Sequence, residues 1–389
     1  MADDVRPTIA TAATVAARGP KVNTFPYDDF MAREGVPVHK APIGIEDVTK
    51  LPRAPWARLN GKGAFIELEG TFQSERGLYV AEIPGSGALE PERHLYEEEL
   101  FILEGWGTAQ VWQGNGEKLT FEWGPGSVFA LPPNTHHRLL NGGREPVIFM
   151  GVTTAPRLVN AADDLDFVFD CDYQFVDLYA QNSNYFLLAD TRTTENSYRS
   201  VTLHTNFIPD ARKLLLDEAE RKVAGGQITG YRMGKRFPHG HVSQWPAGRY
   251  HKAHYHGPGA ILLGLDGEGY VLAWDSKLGA RPYASGRGEQ VHVVQWTKNS
   301  IYCPPDGYFH QHFNSGDTPA RHIAVYGEWL PLGVHNMAAE DAYRGLLSFR
   351  EGGTLIDYED EDPQVRKDFE QTLARKGITC SMPPIAYRD

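Results

Sequence analysis

Three histidines crowd the stretch RYHKAHYHGPGAILLGL at residues 249–265: His251, His254 and His256. Neutral imidazole is the commonest metal ligand in proteins. His254 and His256 are two residues apart, so on a strand they share a face and can place two ring nitrogens side by side. One strand cannot surround an ion, so a third donor must come from elsewhere. His310, in PPDGYFHQHFN, follows a turn that returns the chain toward the first two. Together they form a cap of three nitrogens on one side of a metal, leaving the opposite positions open.

Other residues near these motifs are secondary candidates. His312 alternates with His310, and is either an acid or base behind the ligands or a core residue. His251, three before His254, is expected to point away. His239 and His241, in FPHGHVSQW, are expected at the surface or a partner contact. Arg249, and Arg281 and Arg287 in SKLGARPYASGRGEQ, are candidate clamps for a carboxylate, with solvated surface arginines as the ordinary alternative. Trp245, Tyr250, Tyr308 and Phe309 would line a pocket or fill the core.

What positions these groups is a pair of β blocks. From about residue 60 the chain is short apolar runs broken by Gly and Pro, such as GLYVAEI, LFILEG and VIFMGV. A second block, with AILLGLDG, YVLAW and HIAVYGEWL, runs from 227 to 332. Such runs read as strands of a barrel or sandwich. The blocks repeat each other. Gly105, Gly107 and Trp112 meet Gly267, Gly269 and Trp274 at an offset of 162, which sets Glu92 against His254 and His94 against His256. Pro132, His137 and Asn141 meet Pro305, His310 and Asn314 at an offset of 173. Two helices are predicted outside the blocks. One covers 210–224 and stops at Gly225-Gly226. The other has Asp362 as N-cap, Pro363 at its first turn, and Val365, Phe369 and Leu373 on one face. The run DYEDEDP before it reads as a solvated acidic turn, with a calcium site as the alternative.

The organisation expected is an N-terminal arm (1–59), a first barrel (60–160), a connector with a helix (161–226), a second barrel (227–332) and a helical tail (333–389). A net charge of −12 over 389 residues argues against nucleic acid and anionic membrane as partners. No run of about 18 apolar residues suggests a membrane span. The N-terminus lacks the apolar core of a signal peptide. Three dispersed cysteines, Cys171, Cys303 and Cys380, fit a reducing cytoplasm and no disulfide framework. Cys303 reads as a plain buried thiol, or as a neighbour of the histidine site. A homo-oligomer is expected.

The motifs carry a resemblance. The first block reads Gly126-x5-Pro132-x-Asn134-x2-His137-x3-Asn141. The second reads Gly248-x5-His254-x-His256-x3-Ala260-x6-Gly267, then Pro305-x-Gly307-x2-His310-x3-Asn314. These resemble the two cupin motifs, twice over, so the chain is similar to a bicupin across residues 60–332. The resemblance implies an all-β fold of two double-stranded β-helix (jelly-roll) barrels, with a few connecting and terminal helices. Cupin motifs usually supply a glutamate after the paired histidines. The second block has Ala260 there, which leaves His254, His256 and His310. That set is similar to the three-histidine iron centres of gentisate- and salicylate-type ring-cleaving dioxygenases, although in those enzymes the intact site lies in the first cupin.

In the first block the motif positions hold Glu92, His94, Glu98 and His137. They form either a second metal site, itself a candidate catalytic centre, or a degenerate one whose polar groups pair with Arg93 or Arg138. Three neutral imidazoles leave a divalent ion its full charge, free for a chelating anion. The resemblance therefore implies a metal-dependent oxidoreductase: an iron(II) dioxygenase cleaving a C–C bond of an aromatic or enolisable hydroxy-acid, with a small anionic substrate and O2 as partners. Manganese, nickel or zinc are the alternative metals. The alternative functions are a non-oxidative lyase, decarboxylase or isomerase, and a non-catalytic binding or storage bicupin.

Overall fold

The computed structural model describes residues 25–71, 75–179, 184–187, 191–195, 200–234, 239–256, 260–326, 344–345 and 347–388. The N-terminal arm before residue 25 and the end of HIAVYGEWL lie outside these residues. Each block folds as a large sheet packed on a small one. Among the described residues, an eight-stranded and a three-stranded sheet make the first body, and a nine-stranded and a three-stranded sheet make the second. The two large sheets face each other across a shared core, with Ile66, Val80, Phe101 and Met150 from one side meeting Ile261, Leu263, Ile323 and Val325 from the other. Strands here are covered on both faces, so Val147–Thr153 is buried at every position and shows no alternation.

The repeat is visible residue by residue in the ladders. His137 lies opposite Val111 as His310 lies opposite Ala273, and Phe149 lies opposite Ala81 as His322 lies opposite Ser243. Gly105 and Gly267 occupy the same tight turn at φ +85° and +83°. A Cβ at Gly105 would stand 2.6 Å from Val147 Cγ2, and one at Gly267 would stand 2.9 Å from Ala320 Cα. Asn141 and Asn314 pin the same turn, each amide reaching the carbonyl four residues on, Glu145 at 2.8 Å and Thr318 at 2.9 Å.

The bodies also exchange strands. Gly44–Ile45 pairs with Ile301–Tyr302 of the second body, and Phe207–Ile208 pairs with Val128–Leu131 of the first. After each exchanged strand comes a short 3-10 turn, Val48–Lys50 or Ala211–Lys213, capped by Asp47 or Asp210. The helix predicted over 210–224 therefore does not form. Its first turn closes on Asp210, the chain then pairs briefly with the second barrel at Asp217–Glu218, and residues 220–225 turn back. Helices form instead at Ala155–Ala162, at the end of the expected first barrel, and at Leu165–Asp170 in the connector. The C-terminal helix Pro363–Lys376 forms as expected, with Asp362 accepting from Gln364 N and Gly377 in the left-handed region. It buries Val365, Phe369 and Leu373 on the outer face of the second small sheet, against Phe313 and Tyr270. Among the described residues no helix is long and apolar enough to cross a membrane.

Candidate metal centres

Both barrels gather metal-type donors at the same place. In the second, one ligand atom each from His254, His256 and His310 lies within 4.8 Å of the others. In the first, Glu92, His94, Glu98 and His137 meet the same limit. The cause is a shared crossing. His254 pairs with His310 across a single antiparallel bridge, through His310 N→His254 O at 2.9 Å. Glu92 pairs with His137 in the same way, through His137 N→Glu92 O at 2.9 Å. His254 does not sit on a regular strand as the spacing suggested. It lies in an extended segment held on its other side by Leu355 of the C-terminal tail.

The rings are oriented for coordination. In the first barrel His94 Nδ1 lies 2.9 Å from Tyr96 O, and His137 Nδ1 lies 3.1 Å from Thr135 O. In the second, His254 Nδ1 meets Lys252 O and His310 Nδ1 meets Tyr308 O, both at 3.2 Å. A carbonyl accepts only, so each Nδ1 carries the proton and each Nε2 presents a lone pair inward. His94 Nε2 and His137 Nε2 are buried with no hydrogen-bond partner. Two orphaned acceptors facing two carboxylates are the donor chemistry a divalent ion satisfies.

The electrostatics of the two sites differ. Glu92 binds Arg58, which also binds Glu34 at 2.8 Å. Burial opposes the charged form of Glu92, but Arg58, His137 and His94 outweigh it and hold the carboxyl far below its usual range. The partner is thus Arg58 and not Arg93 or Arg138, whose Nε atoms are buried without one. Glu98 accepts from Tyr79 at 2.7 Å and lies 3.5 Å from His94 Nε2. Burial also opposes a charged His137, yet Glu92 and Glu98 raise its pKa.

In the second site burial, reinforced by Lys222 and the neighbouring imidazoles, pushes His254 well below the usual range. Burial, then His256 and Lys222, does the same to His310. Both rings are neutral, and His254 Nε2 meets Lys222 Nζ at 2.6 Å. The alanine at the glutamate position, Ala260, is buried in the core beneath them.

Several secondary candidates move. His251 does not point out: its ring lies 5.4 Å from His312 inside the barrel, and its Nε2 is buried without a partner. His312 stands behind His310, with Nδ1 3.1 Å from Tyr302 Oη. The same hydroxyl lies 2.6 Å from His322 Nδ1. His241 is not a surface residue. Burial, then Lys222 and His256, lowers it to about 3, and its Nδ1 meets Tyr326 Oη at 2.5 Å. His239 packs beside it on Tyr326.

The arginine clamps are engaged elsewhere. Arg249 donates to Ala224 O, Arg281 to Asp360 O and Arg388 O, and Arg287 to Leu278 O. Trp245, Tyr250 and Phe309 are core, and Tyr308 packs half-buried against it. Cys303 lies in the core between the barrels, where burial raises its thiol to about 11. The acidic run before the last helix is not solvated. Asp360 binds Arg350 and Arg388, Glu361 binds Tyr250 and Gln311, and Asp362 caps the helix.

The sequence reading missed three residues. Arg58 sits in the assumed arm, Tyr79 in an apolar run, and Lys222 in the assumed helix. A signal existed: IEDVTKL at 45–51 repeats as IPDARKL at 208–214. It extends the repeat upstream of both barrels and rules a helix out of the second copy.

Residues 79–153 match the family described as Cupin domain. No curated protein matches the chain. Among solved structures, a Bacillus subtilis oxalate decarboxylase variant is 11% identical, covering 74% of this chain and 78% of its own, with a TM-score of 0.47. A Lactobacillus farciminis oxalate decarboxylase in complex with formate is 11% identical, with coverage of 75% and 87% and a TM-score of 0.48. Vicilin from hazelnut, Corylus avellana, is 12% identical, with coverage of 73% and 85% and a TM-score of 0.45. The match to the cupin family thus covers residues 79–153, within a mostly β chain of two sheet bodies.

Proposed function

We propose that this chain is a metal-dependent oxidoreductase, an iron(II) dioxygenase that cleaves a C–C bond in a small hydroxy-acid at the second-barrel centre. The observation that carries this reading is the donor set of His254, His256 and His310, three imidazoles with no carboxylate among them. Bound there, iron(II) would supply Lewis acidity and one-electron chemistry toward oxygen. His254 and His310 are held as neutral rings by burial, with their protons fixed on Nδ1 by backbone carbonyls. Half-buried His256 faces the open side. His312 and Tyr302 stand behind the ligands, where they can hold or pass a proton.

A second reading rests on the first barrel. Its two carboxylates would offset a divalent charge, and the Tyr79 hydroxyl, kept protonated by burial and by Glu98, donates a hydrogen bond to Glu98. A divalent ion held there would serve a non-oxidative lyase or decarboxylase as a Lewis acid. Oxygen uptake by iron(II)-reconstituted protein across a panel of aromatic and aliphatic hydroxy-acids tests both. Turnover that consumes oxygen and is lost in His256→Ala supports the first reading. Turnover that persists without oxygen and is lost in His137→Ala replaces it with the second.

A further inference from the structure

Each barrel brings a cation to its first ligand position, from segments that match but from positions one residue out of register. The segment before each barrel crosses beneath the ligand-bearing segment through one backbone hydrogen bond, Glu90 N→Leu59 O at 2.9 Å in the first and Lys252 N→Lys222 O at 2.8 Å in the second. From that crossing a side chain turns inward to the first ligand position. In the first barrel it is Arg58, from the residue beside Leu59, and it binds Glu92. In the second it is Lys222, whose Nζ lies 2.6 Å from His254 Nε2. Glu92 and His254 are the equivalent residues of the repeat.

The charge balance is opposite in the two places. Arg58 has Glu92 and Glu34 around it, and its charge is met within the fold. Among the described residues, Lys222 Nζ has one hydrogen-bond partner, a neutral imidazole. No carboxylate among the described residues pairs with it. His254 Nε2 has a single lone pair. It cannot both accept from Lys222 and coordinate a metal, so a metal-ligating His254 leaves the ammonium beside the centre without a partner. A buried cation in that state is costly unless an anion arrives to pair with it.

We propose that Lys222 anchors the anionic group of the ligand that binds in the second barrel, a small carboxylate or hydroxy-carboxylate. The proposal rests on the reading of the second barrel as the substrate site and gives that site its charge selection. It also transfers the clamp from Arg249, Arg281 and Arg287, which the fold has engaged elsewhere. A monoanion paired with one buried ammonium gains a charge-assisted hydrogen bond that a neutral ligand of the same shape lacks.

The test uses calorimetric binding of glycolate and of its neutral amide, glycolamide, to the full-length protein, zinc-loaded and metal-free. Wild type, Lys222→Met, Lys222→Arg and His256→Ala are compared, with zinc content measured in each. In wild type glycolate is expected to bind at least about 30-fold more tightly than glycolamide. Lys222→Met is expected to erase that preference while keeping the zinc content, and Lys222→Arg to restore part of it. An unchanged preference in Lys222→Met overturns the proposal, as does a wild type that binds neither ligand. Loss of zinc in Lys222→Met, matching His256→Ala, also overturns it, because the lysine would then serve the metal site. If His256→Ala keeps full zinc while Lys222→Met loses glycolate selectivity, the metal reading fails and the lysine assignment stands.

Discussion

Behind the candidate ligands the two barrels diverge. The ladder registers align Leu89, Phe129, Leu139 and Phe149 of the first with His251, Tyr302, His312 and His322 of the second. The first barrel closes its interior with hydrocarbon and balances its centre with Glu92, Glu98 and Arg58. The second replaces the same four positions with three imidazoles and a phenol, and balances its centre with nothing among the described residues but Lys222. One backbone plan thus holds a charge-compensated site and an electron-deficient one. The chemistry is written in the side chains that the shared ladder points inward, which is why a barrel fold alone does not name a reaction.

The largest test of this contrast is metal content. His310→Ala and His137→Ala are each expected to remove one equivalent, and the double variant both. Loss of a direct ligand should weaken binding by more than the roughly 10- to 100-fold typical of an outer partner. Elemental analysis after dialysis checks it. Full metal content in His137→Ala would make the first set an ion-pair cluster closed by Arg58, and the molecule would have one centre.

A second test compares the paired cations. Arg58→Met strands Glu92 and Glu34 in a largely buried site, and should cost about 3 kcal/mol in urea unfolding of the metal-free protein. Lys222→Met removes a charge that has no counter-ion, so its stability should be unchanged or higher. Equal losses in the two variants would mean that Lys222 is compensated after all.

The third concerns a carboxyl that the second barrel keeps outside its interior. Glu361 lies on the tail and accepts from Tyr250 and Gln311 on the far face of the strand Tyr308–Asn314. Burial raises it from 4.5 to about 7. The folded state therefore holds this proton where the unfolded state has released it. The stabilisation is complete below about pH 4.5 and is lost as pH rises to about 7, amounting to about 3 kcal/mol. Glu361→Gln keeps the shape and removes the titration. Gln311 can turn its unpartnered Oε1 toward the new amide. The difference in unfolding free energy between the variant and wild type should grow from pH 5 to pH 7 and then level off. A flat difference would show that Glu361 is ionised in the fold.

The sequence made part of this legible. The candidate donors of both clusters were readable because the motif residues keep their spacing within each half of the repeat, around Gly105/Gly267 at one offset and around His137/His310 at the other. The C-terminal helix was readable because its cap and apolar stripe are local. Arg58 and Lys222 were hidden for a physical reason. Each reaches its centre from a segment that first lends a strand to the other barrel, so its neighbours in space are remote in sequence. Leu214, Leu215, Ala219 and Val223 mimic a helical stripe, yet Leu214 packs on the inter-barrel core and Val223 inside the second barrel. His251 was misjudged for a similar reason, whereas His312 lies behind His310 as its alternation implied. Alternation predicts facing only on a regular strand, and the chain around His251 and His254 makes isolated bridges instead.

The smallest effect separates the barrels by their covering. The tail that caps the second small sheet is also what braces His254, through Ile356 N→Ala253 O at 2.8 Å and the bridge to Leu355. Asp362 anchors that tail twice, accepting from Gln364 N at 3.1 Å and from Ala284 N at 2.7 Å. Asp362→Ala should cost about 1 kcal/mol, as loss of an N-cap does. The loss should be local. Amide exchange is expected to quicken at Tyr255 and Ile356, where the tail meets the ligand segment, and to stay unchanged at Glu92 and His137, whose bridge makes no contact with the tail among the described residues. Faster exchange at both bridges would mean that the barrels open as one unit through the core they share, and the second centre could not then be tuned by its tail alone.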